Sequence, residues 1–208
     1  MKIQHRLESS ANHGELGWSM VEMLVVVGII FIIGAMALVQ LQPSLQQMRA
    51  NAGRDQIQGA LRQAREIAIS QRRYVQVQFN VSPPCPPAGV APACIALTRL
   101  GGPADPTLLL TLPIQRTVLY QTFAALPDTP DGFGVPGGGG IMFGGVVGGP
   151  NTMMFQSDGT FVNGAGTTLN GTVFMGVTGI PSMARAVTVL GTTGRIRAYR
   201  STGSGWVE

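Results

Sequence analysis

Glu22 is the one charged residue between Trp18 and Val39, and the seventeen residues from Met23 to Val39 carry no polar side chain. An unpaired charge in lipid costs very roughly 2.5–3.5 kcal/mol or more, so Glu22 reads as functional and asks for a cationic partner. A second group is Cys85 and Cys94, in the Pro-rich segment PPCPPAGVAPAC. In an oxidising compartment the two close a loop disulfide; elsewhere they stay as two thiols. A tetrahedral metal site needs more ligands than this pair supplies. The third group is Arg195, Arg197 and Tyr199. On a strand these alternate positions share one face. Two guanidiniums about 7 Å apart there each reach a backbone phosphate, and a tyrosine beside them stacks on a base. No acidic residue lies between Asp158 and Glu208, and Arg185 and Arg200 add positive charge to the same stretch. The alternative is a solvated hairpin end whose arginine stems cover apolar surface. The carboxylates Asp105, Asp128, Asp131 and Asp158 all sit beside Gly or Pro, which marks them as turn residues and argues against an acid–base site.

These residues need elements to position them. From Met23 to Val39 a helix is about 26 Å long, and from Trp18 about 33 Å, which matches a bilayer core of about 30 Å. The helix continues past the apolar run, over 41–73. Ile57, Ala60, Leu61, Ala64, Ile67 and Ala68 form a single-face stripe, with Arg62, Gln63, Arg65 and Glu66 on the other face. Pro43 interrupts its hydrogen-bond ladder and predicts a kink.

At Tyr74 the period changes to two. Val75, Val77, Phe79 and Val81 alternate with Tyr74, Gln76, Gln78 and Asn80, the pattern of a half-buried strand. Further strands are expected at 95–100, 107–112, 116–123, 153–155, 171–177, 186–190 and 195–200, with a four-residue turn Gly191-Thr192-Thr193-Gly194 between the last two. Asp158-Gly159 signals a tight turn. The stretch 124–150 reads as loop, and ten of the eighteen residues from Gly132 to Gly149 are Gly. It lacks the Gly-Lys-Ser/Thr ending of a phosphate-binding loop and reads as a surface insertion. No strand–helix alternation is present, so the expected class is α+β, an antiparallel sheet packed on one long helix.

The segment Gly17-Trp18-Ser19-Met20-Val21-Glu22 followed by the apolar run resembles the processing site of type IV pilins and pseudopilins. Two further features narrow the resemblance to the GspH/FimT family of minor pseudopilins and minor pilins. One is AREIAISQRRYVQVQF, Ala64 to Phe79; the other is the pair FQSDGTF and VTVLGTTGRIRAY. The middle, about 82–150, lies outside the resemblance.

The resemblance implies a leader, 1–17, cut between Gly17 and Trp18 by a prepilin peptidase, with N-methylation of Trp18. Trp stands where the family usually has Phe. It also implies that the new amine of one subunit meets Glu22 of another, and that residues 18–40 span the bacterial inner membrane once. Residues 74–208 then form a β domain in the periplasm. The partners implied are other pilin or pseudopilin subunits and, beyond them, secreted proteins or DNA. Gly194-Arg195-Ile196-Arg197 is similar to a Gly-Arg-x-Arg motif of DNA-binding minor pilins. The alternative function is therefore a DNA-binding minor pilin for uptake in natural transformation.

Charge narrows the chemistry further. Without 1–17 the chain has no His and no Lys, and twelve Arg stand against eight acidic residues. That leaves no His-activated nucleophile, no Schiff-base lysine and no histidine metal site. The expectation is a structural and interaction protein, not an enzyme, with no cofactor and no metal.

Overall fold

The computed structural model describes residues 18–85, 92–134, 139–144 and 151–208. The expected leader with Gly17, part of the cysteine loop and the glycine-rich stretches 135–138 and 145–150 lie outside the described residues. The chain falls into two units that part between Gln42 and Pro43.

Helix α1 spans Met20–Gln71. The Ser19 carbonyl accepts the N–H groups of Glu22 and Met23 at 3.0 and 3.1 Å, which starts the hydrogen-bond ladder. Glu22 lies in the first turn, where a negative charge complements the helix dipole. Within the first unit, residues 18–37 are all exposed. The helix is long and apolar enough to cross a membrane.

The second unit contains the rest of α1, with Pro43 inside the helix. Here Ala50, Gly53, Ile57, Ala60, Leu61, Ala64 and Ala68 are buried, a stripe that starts seven residues earlier than the pattern reading placed it. Ile67 sits half-buried at its edge. The helix ends at Arg72, which takes a left-handed φ of 51°. The Arg73 N–H then returns to the Ala68 carbonyl at 3.1 Å, closing the last turn.

The strands are β1 (Tyr74–Phe79), β2 (Cys94–Leu100), β3 (Thr107–Pro113), β4 (Leu119–Tyr120), β5 (Ile141–Phe143), β6 (Thr152–Phe155), β7 (Phe161–Val162), β8 (Gly171–Gly176), β9 (Arg185–Leu190), β10 (Arg195–Ser201) and β11 (Trp206–Val207). They form two antiparallel sheets, ordered β3-β2-β1-β6-β7 and β11-β10-β9-β8-β4, with β5 also paired to β8. The class is α+β, as expected.

One sheet was expected, and the reason for two lies in burial. All six residues of β8 and five of the six in β9 are buried, so both faces of those strands are covered. One helix covers only one face. The stripe of α1, Val75, Val77 and Phe79 of the first sheet, and Val173, Met175, Val187 and Val189 of the second share a single apolar core. Phe143 bridges the sheets, its ring centroid 5.6 Å from that of Phe79 and 5.4 Å from that of Phe161.

Three expectations change. The stretch 124–150 is not loop throughout: Ile141, Met142 and Phe143 are buried and pair with β8, because three consecutive large apolar side chains find partners on both sides of that strand. The strand expected over 116–123 contracts to β4. Strand β11 was not foreseen.

Candidate functional site

The β9–β10 hairpin carries most of the chemistry-bearing residues, and its turn sets their register. The Gly194 and Thr193 N–H groups both reach the Leu190 carbonyl, at 2.8 and 3.4 Å. Arg195 then pairs with Leu190, Arg197 with Thr188, Tyr199 with Ala186 and Arg200 with Arg185. Ile196 and Ala198 pack onto the main core. Tyr199 belongs to a second cluster, with Met142, Phe174, Ala186 and Trp206. Arg197 and Tyr199 therefore face away from the helix.

That outer face is occupied by the chain itself. Asp131 accepts hydrogen bonds from Thr188 Oγ1 at 2.6 Å, Tyr199 OH at 3.0 Å and Arg197 Nη1 at 3.1 Å. Its side chain is only 8% exposed. The turn before it is held by Asp128, which accepts the N–H groups of Thr129 at 2.7 Å and Gly134 at 2.9 Å. Trp206 fastens the same segment, its Nε1 donating to the Pro127 carbonyl at 2.8 Å and its ring packing on Phe174. Glu208 Oε1 stands 3.7 Å from Arg197 Nε. Arg197 thus sits between two carboxylates.

Arg197 and Tyr199 meet on Asp131 while Arg195 stands beside α1, and the three are not equally free. Arg195 is exposed. Arg197 is half-buried and ion-paired. Tyr199 is 2% exposed, so it offers no ring for a base to stack on. Burial first, and the Asp131 carboxylate with it, push the Tyr199 phenol up, against the opposing effect of the Arg197 guanidinium. The stretch looks unopposed in sequence because Asp131 lies 68 residues before Tyr199.

Arg185 also departs from expectation. It is 1% exposed and does not add to a surface field. Its Nε donates to Asn51 Oδ1 of α1 at 2.7 Å, and its Nη1 to the carbonyls of Ala184 at 2.8 Å and Ser182 at 3.2 Å. Burial, then the neighbouring Arg54 and Arg200, lower its pKa to about 10, so it stays charged at neutral pH. Arg200 is exposed.

Elsewhere, Cys85 and Cys94 are disulfide-bonded, and both are buried with Ala96. Asn80, at a left-handed φ of 50°, accepts the Cys94 N–H at 2.7 Å and steadies the loop. Asp105 and Asp158 do lie in turns: Asp105 accepts from Gly102 N–H and pairs with Arg99 at 3.1 Å, and Asp158 accepts from Thr160 Oγ1 at 2.7 Å. Among the described residues no group of three or more His, Cys, Asp or Glu is placed to hold a metal. Glu22 is exposed, and among the described residues no cation pairs with it.

No family model matches the chain, and no curated protein matches it. The chain is similar to two kinds of solved structure. One is the type IV minor pilin FimU of Pseudomonas aeruginosa PAO1, at 15% identity and a TM-score of 0.45, covering 76% of this chain and 97% of that one. The other is the minor pseudopilin EpsH from the Type 2 Secretion System of Vibrio cholerae, at 12% identity and a TM-score of 0.45, covering 73% of this chain and 97% of that one.

Asp131, Glu208 and Asn51 were missed as partners of the hairpin arginines. Asp131 follows Pro130 and precedes Gly132, which is a turn signature and hides its second role. Nothing in the sequence around Asn51 signals a buried guanidinium.

Proposed function

We propose that this chain is a minor pilin-like subunit of a membrane-anchored filament, a structural and interaction protein that works in type II secretion or in type IV pilus assembly. The observation that carries the reading is the first part of α1. Its residues up to 37 are exposed and apolar, and the one charge among them is Glu22. An apolar surface of that length has to be covered from outside the chain. In this reading a bilayer covers it before assembly and neighbouring helices cover it afterwards. That no cation among the described residues pairs with Glu22 supports an intermolecular partner, the free amine of Trp18 on a neighbouring subunit. Two charges brought into a dry place tolerate it when they pair. The leader is then removed by a prepilin peptidase, Trp18 is N-methylated, and the β domain lies in the periplasm of a bacterial inner membrane.

Intact-mass measurement of protein extracted from membranes with an active prepilin peptidase tests this. The expected product starts at Trp18. A chain that keeps residues 1–17 there overturns the reading. Replacing Glu22 with Ala should leave cleavage and membrane insertion intact while co-purification with partner subunits falls. Unchanged co-purification removes the charge pairing.

A further inference from the structure

A groove of about 510 Å³ lies where α1 passes the tip of the β9–β10 hairpin. Ligand pockets occupy about 300–1,000 Å³, so the space suits a short segment of a partner. Arg62, Arg65 and Arg195 converge on it, Ile69 and Ile196 supply apolar surface, and Glu66 lines the helix side. Arg62 and Arg65 are three residues apart on the helix and therefore neighbours on its surface.

The groove is built, not incidental. Two tight turns close on Arg65. Gly159 and Gly194 both hold left-handed φ values, 85° and 61°, and a side chain at Gly194 would run into the Gly159 carbonyl and the Arg65 stem. Arg65 Nε donates to that carbonyl at 3.4 Å, which fixes the guanidinium at the groove wall. The ion pairs among the described residues use Arg54, Arg99 and Arg197. Arg62, Arg65 and Arg195 have no carboxylate partner there, and Ile69 is 41% exposed.

We propose that this groove binds an acidic peptide segment of a partner protein, its carboxylates on Arg62, Arg65 and Arg195 and an apolar side chain over Ile69 and Ile196. Arginine presents a planar fork that matches carboxylate, and several such pairs fix both position and direction of the segment. The occupant is a peptide for two reasons. Glu66 and the Ser70 hydroxyl offer acceptors for peptide N–H groups, which a sugar–phosphate backbone lacks. No aromatic ring among the described residues lines the groove, so these residues give no platform for bases. The occupant is not a second copy of this chain. The chain carries a formal net charge of +4, and its carboxylates Asp55, Asp105 and Asp131 are already paired with its own arginines.

The test uses the full chain in detergent and a fluorescein-labelled short peptide alternating Glu and Leu, with fluorescence anisotropy as the readout. The expected result is saturable binding that weakens as salt rises. A Gln–Leu peptide of the same length should bind much more weakly. Arg62→Gln and Arg195→Gln are each expected to lower affinity about fivefold, the loss of one exposed charge-assisted contact. A single Arg116→Gln protein is the charge-matched control, since Arg116 lines a different pocket. It should stay within about twofold of the parent chain. Thermal melts of each variant confirm that the fold is unchanged, and because Arg62 and Arg195 are exposed and make no ion pair among the described residues, the two variants stay readable. The proposal is overturned by absent binding at low salt, by equal binding of the Gln–Leu peptide, or by an equal loss in the control. It is also overturned if single-stranded oligothymidylate binds more tightly and loses affinity through Arg62 and Arg195, which would make the groove a nucleic-acid site.

Discussion

At the base of the β9–β10 hairpin, Arg185 is 1% exposed and gives its donors to Asn51, Ser182 and Ala184. At the tip, Arg195 is exposed and no carboxylate among the described residues pairs with it. Arg197, between them, is held by Asp131 and Glu208. The three arginines lie on one hairpin, yet they are solvated by neutral oxygens, by carboxylates and by water in turn. A guanidinium has five donors, and what satisfies them decides whether the group supports the fold or remains free for a partner. A buried arginine without a carboxylate is tolerated because amide and carbonyl oxygens line its pocket. The cost shows as a pKa lowered to about 10.

Substitutions along the hairpin break or sharpen that contrast. The largest effect is expected at its base. Arg185→Ala leaves a cavity and strips Asn51 of its donor, and should cost about 3–4 kcal/mol. Arg185→Met fills the space without a charge and should cost much less, about 1 kcal/mol or under. Near-UV circular dichroism melts of the full chain read both. If the two variants melt together, the arginine contributes through its hydrogen bonds and not its volume.

Asp131→Ala comes next. It removes the acceptor of Tyr199 and Thr188 and the first partner of Arg197, and about 2–3 kcal/mol should be lost. The phenol should also become easier to ionise, because the carboxylate that helps push it up is gone; ultraviolet titration of the tyrosines detects this. An unchanged melting temperature would mean that the segment around Asp131 is held by Trp206 alone.

The smallest effect belongs to Arg195→Gln. Its side chain is exposed and unpaired, so the melting temperature should not move measurably. A clear drop there would show that the tip, like the base, contributes to the fold.

Most of the elements were legible from periodicity. The step from a 3.6-residue to a two-residue repeat at Tyr74 marks the end of α1 and the start of β1 to within a few residues, because the core face of each element imposes its own spacing on apolar positions. The Gly191–Gly194 turn was legible because two glycines bracket it. Strand β5 was not, because a run of only three apolar residues inside a glycine-rich stretch carries no period. The candidate site was legible only in part. The alternation put Arg197 and Tyr199 on one face, but it could not say that Asp131 would lie on it.

The sequence by itself determined the apolar run with Glu22 inside it, the long helix, the strand pattern and the number and order of the arginines. These are local properties, fixed by side-chain type and by spacing along one element. The tertiary structure decided that there are two sheets and not one, and which arginines are spent. Arg185 is enclosed because β9 packs against α1 at Asn51, 134 residues away in the chain. Arg197 is neutralised because Asp131, 66 residues away, folds back over β10. Charge is carried by a residue, but its availability depends on which distant oxygens the fold brings within hydrogen-bonding range, and no local pattern encodes that distance.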